Sequence, residues 1–173
     1  MKAFLQIETD RGLIRRLKPA DKPKFLDLMM DKSVTDNMAF SDDMKTQAGA
    51  KQILEMTLNA YETKEPLLAF AIEEKDSSEF LGLCGGTIRK PGEMEIFYAF
   101  LPEQWGRGWA TEVLRGLTTH VFLNRDIHLL QLFITPNNRA SQRVAEKNNF
   151  IKQGWSDHPQ FEEKVLLFEK SKS

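Results

Sequence analysis

Trp105-Gly106-Arg107-Gly108-Trp109-Ala110 stands between a short apolar strand pattern and a helical one, and its reading decides the fold. Before it, Met94 to Leu101 carries apolar residues on both faces, which suits a strand covered on both sides in mid-sheet. After Pro102 and the glycines, Ala110, Val113, Leu114, Leu117 and Val121 recur on one helical stripe. Strand, glycine turn and helix together make an arrangement that binds phosphate. The first helical turn has unpaired N–H groups, and the helix dipole favours an anion beside them. Glycines at 106 and 108 let the backbone approach a phosphate with no side chain in the way, and Arg107 offers one charge-assisted contact. A tight connection without a ligand is the other reading of two glycines so placed. The turn is neither a Walker loop, which ends in Gly-Lys-Ser/Thr, nor a three-glycine dinucleotide fingerprint.

On the amino-terminal side, Gly12 to Leu17 predicts a strand, and Pro19, Asp21 and Pro23 punctuate the chain behind it. Asp21 is placed to cap a helix whose apolar face is Phe25, Leu26, Leu28 and Met29. Lys32 to Lys45 is polar and irregular, reading as a loop or a short broken helix, and a longer helix runs from about Thr46 to Tyr61. Leu67–Glu73 and Glu79–Arg89 read as antiparallel strands joined across a polar turn, and Pro91-Gly92 turns the chain into Met94–Leu101. On the carboxy-terminal side come a strand over Ile127–Thr135, a helix over Arg139–Lys147 and two strands, Phe150–Trp155 and Phe161–Phe168. The order predicts an α/β (α+β) fold with a mixed sheet and helices on both faces, in a single domain over residues 1–173.

Composition fits that expectation. The 173 residues are 41% hydrophobic and 28% charged, as in a globular protein with a real core. A net charge of −1 gives no general electrostatic reason to bind nucleic acid or an anionic membrane. The single cysteine, Cys84, has no internal disulfide partner and sits in an apolar run, so it reads as an inert buried thiol in a reducing compartment. The start of the chain lacks a signal-peptide pattern, no stretch is apolar enough to span a membrane, and a cytoplasmic location is expected. His120, His128 and His158 have no metal-ligand spacing and read as structural histidines, with no metal expected.

A second segment, Asn138-Arg139-Ala140-Ser141 with Glu146-Lys147-Asn148-Asn149-Phe150, opens and closes the helix after the next strand. With Glu95-Ile96-Phe97-Tyr98 and Trp105-Gly106-Arg107-Gly108-Trp109-Ala110-Thr111-Glu112, it resembles the GNAT acetyltransferase family, in particular its ribosomal-protein N-terminal acetyltransferase (RimJ/RimL-like) branch. A weaker resemblance extends over Leu13 to Asp21. The branch typically shows Glu-Ile-Gly-Tyr, then Trp-Gly-x-Gly-Tyr-Ala-Thr-Glu, then Asn-x-x-Ser with Glu-Lys-x-Gly-Phe. The resemblance implies a mostly antiparallel sheet of about seven strands, splayed between the fourth and fifth, here Met94–Leu101 and Ile127–Thr135. Acetyl-CoA would enter that wedge as acetyl donor, its pantetheine arm lying along the fourth strand.

The resemblance further implies roles for individual residues. The backbone of Gln104, Trp105, Gly106, Arg107, Gly108, Trp109 and Ala110 would hold the pyrophosphate. Asn138 would contact the pantetheine arm, its alternative being a helix N-cap. Many members place a proton-donating tyrosine where this chain has Ala145, so that tyrosine is absent. In the RimJ/RimL-like branch the proposed donor is the serine, which carries onto Ser141; a first-turn hydroxyl bonded to the backbone is the alternative. Glu95 is the general-base candidate, against a surface carboxylate or a structural ion pair. Phe97, in place of the branch glycine, and Tyr98 are candidates for lining the substrate channel, with core packing as their alternative. Asn149 replaces a second glycine, and asparagine tolerates the left-handed conformation that position demands.

The expected activity is acetyl transfer from acetyl-CoA to a primary amine in a ternary complex, foremost a protein N-terminal α-amine. A polyamine, amino acid or aminoglycoside is the alternative acceptor, and a catalytically silent acyl-CoA-binding module the alternative class. No nucleic-acid or membrane partner is expected, and the family leads one to expect a homodimer.

Overall fold

A computed structural model describes residues 6–63 and 68–172. The strands are β1 (Gln6–Glu8), β2 (Gly12–Arg15), β3 (Leu68–Glu74), β4 (Phe80–Lys90), β5 (Glu93–Phe100), β6 (Leu129–Ile134), β7 (Ile151–Ser156) and β8 (Val165–Ser171). The helices are α1 (Lys22–Met30), α2 (Lys32–Thr35), α3 (Gln47–Ala60), α4 (Trp109–Asn124) and α5 (Arg139–Lys147). One eight-stranded sheet runs in the order β1-β2-β3-β4-β5-β6-β8-β7. Every neighbouring pair is antiparallel except β5 and β6.

The strand beyond the expected set is β1, in which Ile7 alone is buried. So short a segment carries too little alternation to register as a strand pattern. The expected last strand moves from Phe161–Phe168 to Val165–Ser171, because Phe161 packs against the ring of His158 in the preceding loop instead of joining the ladder. The polar stretch 32–45 holds the single turn α2 and a 3-10 turn at Asp42–Lys45. The expected strand start at Leu67 and the amino-terminal leader reading at residues 1–5 lie outside the described residues.

Asp21 does not cap α1 with its side chain. It is buried, and both its oxygens take hydrogen bonds at 2.8 Å from the guanidinium of Arg15, whose Nε donates to Glu73 at 2.6 Å. Burial alone would raise the Asp21 carboxyl, but the bonds from Arg15 and the Lys18 N–H outweigh it and hold its pKa below the usual value. This buried triad fastens β2 to β3 and to the turn that launches α1.

Helical amphipathicity supplies the layers. Phe25, Leu28 and Met29 of α1 and Ala50 and Leu54 of α3 are buried, as are Val113, Leu114, Leu117 and Val121 of α4. Sheet residues including Phe70, Ile72, Ile96, Leu130 and Phe168 complete the core, each such side chain contributing about 1.5–3 kcal/mol on burial. Cys84 is fully buried, and burial pushes its thiol pKa up, as suits an inert packing residue. Among the described residues, no helix is long and apolar enough to cross a membrane.

Candidate functional site

The sheet opens where its one parallel pair fails. Pairing between β5 and β6 stops after Glu93↔Leu129, Met94↔Leu130 and Glu95↔Gln131, while β5 continues to Phe100 and β6 to Ile134. Gly92 secures the closed end: its carbonyl accepts the N–H of His128 at 2.8 Å and that of Leu129 at 3.2 Å, anchoring β6 to the β4–β5 turn. Beyond Glu95 the strands part, and a cavity of about 810 Å³ occupies the wedge.

One half of this cavity is made of backbone. Gly106 and Gly108 have φ of +73° and +83°, a region that side-chain-bearing residues avoid. No atom lies within 4 Å of where a Cβ on Gly106 would sit, so the surface there is open. The N–H groups of Gln104 and Trp105 are spent within a 3-10 turn, donating to Leu101 and Pro102. The expected row of free N–H groups is therefore shorter at its start, beginning at Gly106. From Gly106 to Thr111 none has a partner among the described residues. Unpaired donors at the start of a 16-residue helix form a cradle that fits a pyrophosphate.

The side chains of this segment do other work. Arg107 turns back to donate to Gln104 Oε1 at 2.8 Å and does not line the cavity. Gln104 itself is buried, while Trp105 is half-exposed and donates from Nε1 to the Phe100 carbonyl. Trp109 is buried beneath the Arg11 guanidinium, 4.1 Å from its ring. Arg11 belongs to a clamp on the helix start. Glu112 accepts from Thr9 Oγ1 at 2.6 Å and from Arg11 N and Nε at 2.7 and 2.8 Å, and Arg11 also donates to the Arg107 carbonyl.

Across the wedge, Asn138 caps α5, its Oδ1 accepting the Ser141 N–H at 3.1 Å. Its Nδ2 has no partner among the described residues, so capping leaves the amide donor available. The Ser141 hydroxyl likewise makes no hydrogen bond among them, and both residues line the cavity. Tyr98 spans the gap from β5 to α5, its hydroxyl making a long bond of 3.5 Å to the Ser141 carbonyl. Burial pushes the Tyr98 phenol up to about 12, so it keeps its proton at neutral pH.

The other half of the cavity is made of side chains. Strand alternation puts Glu95 and Phe97 on one face and Tyr98 on the other. Phe97 is half-buried, packing on the core while still lining the cavity. The Glu95 carboxylate is half-sequestered: Arg89 Nη1 lies 3.4 Å and His158 Nε2 3.2 Å from the same oxygen, Oε2. His158 is buried between Phe133 and Phe161, with ring centroids 4.7 and 5.3 Å away. Met38, Phe40 and Met44, from the segment after α2, close this side. That segment is tied down by Thr135 Oγ1 donating to Asn37 Oδ1 at 2.7 Å.

Sequence reasoning passed over Arg89, Phe133, His158 and Phe161 because they come from separate segments with no shared spacing. His158 read as structural, and the polar loop after β7 gave no sign of reaching the sheet centre. Among the described residues, no group of three His, Cys, Asp or Glu side chains is placed to hold a metal ion.

Comparison with known proteins bears on this wedge. A family model described as an acetyltransferase (GNAT) domain matches residues 11–151. The uncharacterized protein YkkB of Bacillus subtilis (strain 168) is 29% identical over 150 residues, which cover 85% of this chain and 86% of YkkB. The uncharacterized N-acetyltransferase YoaA of the same organism is 26% identical over 153 residues, covering 87% and 85%. Among solved structures, a GNAT-family acetyltransferase from Bacillus anthracis superposes with a TM-score of 0.82 at 19% identity, covering 97% of this chain and 99% of that one. RimL, a ribosomal L7/L12 alpha-N-protein acetyltransferase in complex with coenzyme A, gives 0.81 at 16% identity, covering 96% and 97%. Spermidine N-acetyltransferase from Vibrio cholerae, in complex with CoA and spermine, gives 0.80 at 14% identity, covering 94% and 96%. At such identities the structural likeness speaks for the fold alone.

Proposed function

We propose, from the premise that this chain belongs to the GNAT acetyltransferase family and is an acetyl-CoA-dependent N-acetyltransferase, that its acceptor is the α-amine at a protein or peptide N-terminus. The observation that carries this reading is the charge count of the cavity. Among the described residues that line it, Glu95 is the one carboxylate, and Arg89 and His158 already share one of its oxygens. A polyamine or aminoglycoside brings several ammonium groups and finds no second acid to meet them. One amine beside an apolar residue matches Met38, Phe40, Phe97, Phe133 and Phe161. An α-amine also has a pKa of about 7.7–8.0, against about 10.4 for a lysine-type amine. It gives up its proton near neutral pH to a single carboxylate far more easily. RimL and the spermidine enzyme share this fold, so the fold by itself does not choose between their kinds of acceptor.

In this reading the N–H row from Gly106 to Thr111 binds the pyrophosphate, and the unpaired edge of β5 beyond Glu95 lines the pantetheine arm with Asn138. Acetyl-CoA supplies an acetyl thioester activated towards nucleophiles. Glu95 takes the proton of the acceptor ammonium, directly or through one water. Ser141, which lines the cavity, would protonate the departing sulfur, while Tyr98 braces strand against helix. Holding both substrates in one wedge supplies much of the acceleration.

Thiol release from acetyl-CoA, measured across peptides of varied first residue, spermidine and an aminoglycoside, tests the reading. The expected result is the highest kcat/KM with peptides whose first residue is apolar. A preference for spermidine or the aminoglycoside would overturn it in favour of a small-amine acceptor.

A further inference from the structure

The buried histidine behind Glu95 has no part in the reaction as so far described, yet its hydrogen bonds are specific. Its Nδ1 accepts the backbone N–H of Gln160 at 3.3 Å. A ring nitrogen that accepts carries no proton, so in the neutral ring the proton sits on Nε2. Nε2 is the atom that faces Glu95 Oε2, at 3.2 Å. The side chain of His158 is 1% exposed and that of Glu95 13%, so water hardly competes for this bond. The ring is flanked by Phe133 from β6, tilted against it, and by Phe161 from its own loop in an edge-type contact, which leaves it little freedom to turn.

The second group on the carboxylate, Arg89 of β4, binds the same oxygen, Oε2. Both contacts thus anchor one side of the carboxylate, and Oε1 has no partner among the described residues. An unanchored glutamate on a half-buried strand position would swing among rotamers or collapse onto Arg89. One held by Oε2 alone presents Oε1 in a fixed place as a proton acceptor.

We propose that His158 is a positioning residue for the base Glu95: its Nε2–H, oriented by the Gln160 N–H, fixes Oε2 so that Oε1 faces the acceptor amine. The inference rests on Glu95 being the proton acceptor. The acceptor N–H bond breaks and its proton passes to Oε1; the freed nitrogen lone pair forms the N–C bond at the acetyl carbon. The C–S bond breaks, and the sulfur leaves as the thiol of coenzyme A, its proton balanced by the second proton that the nitrogen loses. His158 keeps its own proton throughout and touches no reacting atom. Among the described residues, the charged and titratable groups in contact with this carboxylate are Arg89 from β4 and His158 from the β7–β8 loop.

His158→Phe keeps an aromatic ring between Phe133 and Phe161 and removes the donor. His158→Gln puts an amide N–H near the position of Nε2. His158→Phe is expected to lower kcat/KM for the acceptor about tenfold and leave the Kd for acetyl-CoA unchanged. His158→Gln is expected to recover most of the rate. A wild-type kcat/KM in His158→Phe would overturn the proposal, as would a His158→Gln enzyme equally slow although both variants melt like the wild type. Nitrogen-15 NMR of the unaltered protein gives an independent check: the Nε2–H tautomer near neutral pH is expected, and an Nδ1–H tautomer contradicts the proposal. Glu95→Gln separates the two layers of inference. A wild-type rate in Glu95→Gln removes the base itself, whereas a slow Glu95→Gln beside an unaffected His158→Phe removes only the positioning role.

Discussion

The two halves of the wedge are built from different materials. The donor half is backbone, a run of unpaired N–H groups exposed by two left-handed glycines at the start of a long helix. The acceptor half is side chains, with one carboxylate shared by an arginine and a histidine among phenylalanines and methionines. Backbone recognition suits a ligand part that never varies, as the pyrophosphate of the proposed donor site would be. It asks of the sequence only that certain side chains be missing. Side-chain recognition serves the part that differs between enzymes, and it draws on segments far apart in the chain.

The sharpest way to break this contrast is to put a side chain into the backbone half. Gly108→Asp forces φ of +83° on a residue with a Cβ and sets a carboxylate against the pyrophosphate site. Acetyl-CoA affinity should fall about a hundredfold, measured by calorimetry, and unchanged affinity would mean that the cradle does not bind the donor. Ser141→Ala touches the boundary between the halves. We expect kcat to fall about tenfold with the donor Kd little changed; a rate equal to wild type across pH would remove Ser141 from the chemistry.

The smallest effect is expected at the clamp behind the cradle. Burial pushes the Glu112 carboxyl up, but hydrogen bonds from Thr9 and Arg11 outweigh it and hold its pKa below the ordinary value. A depressed folded-state pKa contributes stability above the unfolded value of about 4.3, lost as pH falls through the folded value. Glu112→Gln should therefore cost about 1 kcal/mol at neutral pH, the half-exposed Arg11 being screened by solvent. It should weaken donor binding slightly. In thermal melts the gap between variant and wild type should close as the medium is made acid, and a gap that persists there would show that the carboxylate charge is not what holds the clamp.

The same contrast explains what was legible in the sequence. Gly106, Gly108 and Asn138 announce themselves because turn and cap geometry admits few residue types, and they lie within one strand of each other. The splayed sheet was an expectation of the family resemblance that these motifs carry. Asn149, with φ of +61°, shows the same principle, standing in the left-handed position that a glycine usually fills. His158 was invisible: a polar loop residue becomes part of the site only when β7 and β8 fold its loop over β6. Phe161 misled for the same reason, an apolar residue that belongs to the cavity wall and not to the strand after it. Asp21 misled differently. A lone aspartate before a helix reads as a cap, and nothing local shows that Arg15 and Glu73 will claim it.

The Thr9–Arg11–Glu112 contacts bear on the order of assembly. The Arg11–Glu112 bond closes a span of 101 residues, and the loop-closure entropy of so long a span is recovered only once both ends are in place. The helix start that carries the cradle is thus finished by a hairpin made at the other end of the chain. Docking of the first hairpin and the final shape of the proposed donor cradle are therefore coupled, so whatever steadies one end of the chain also steadies the other.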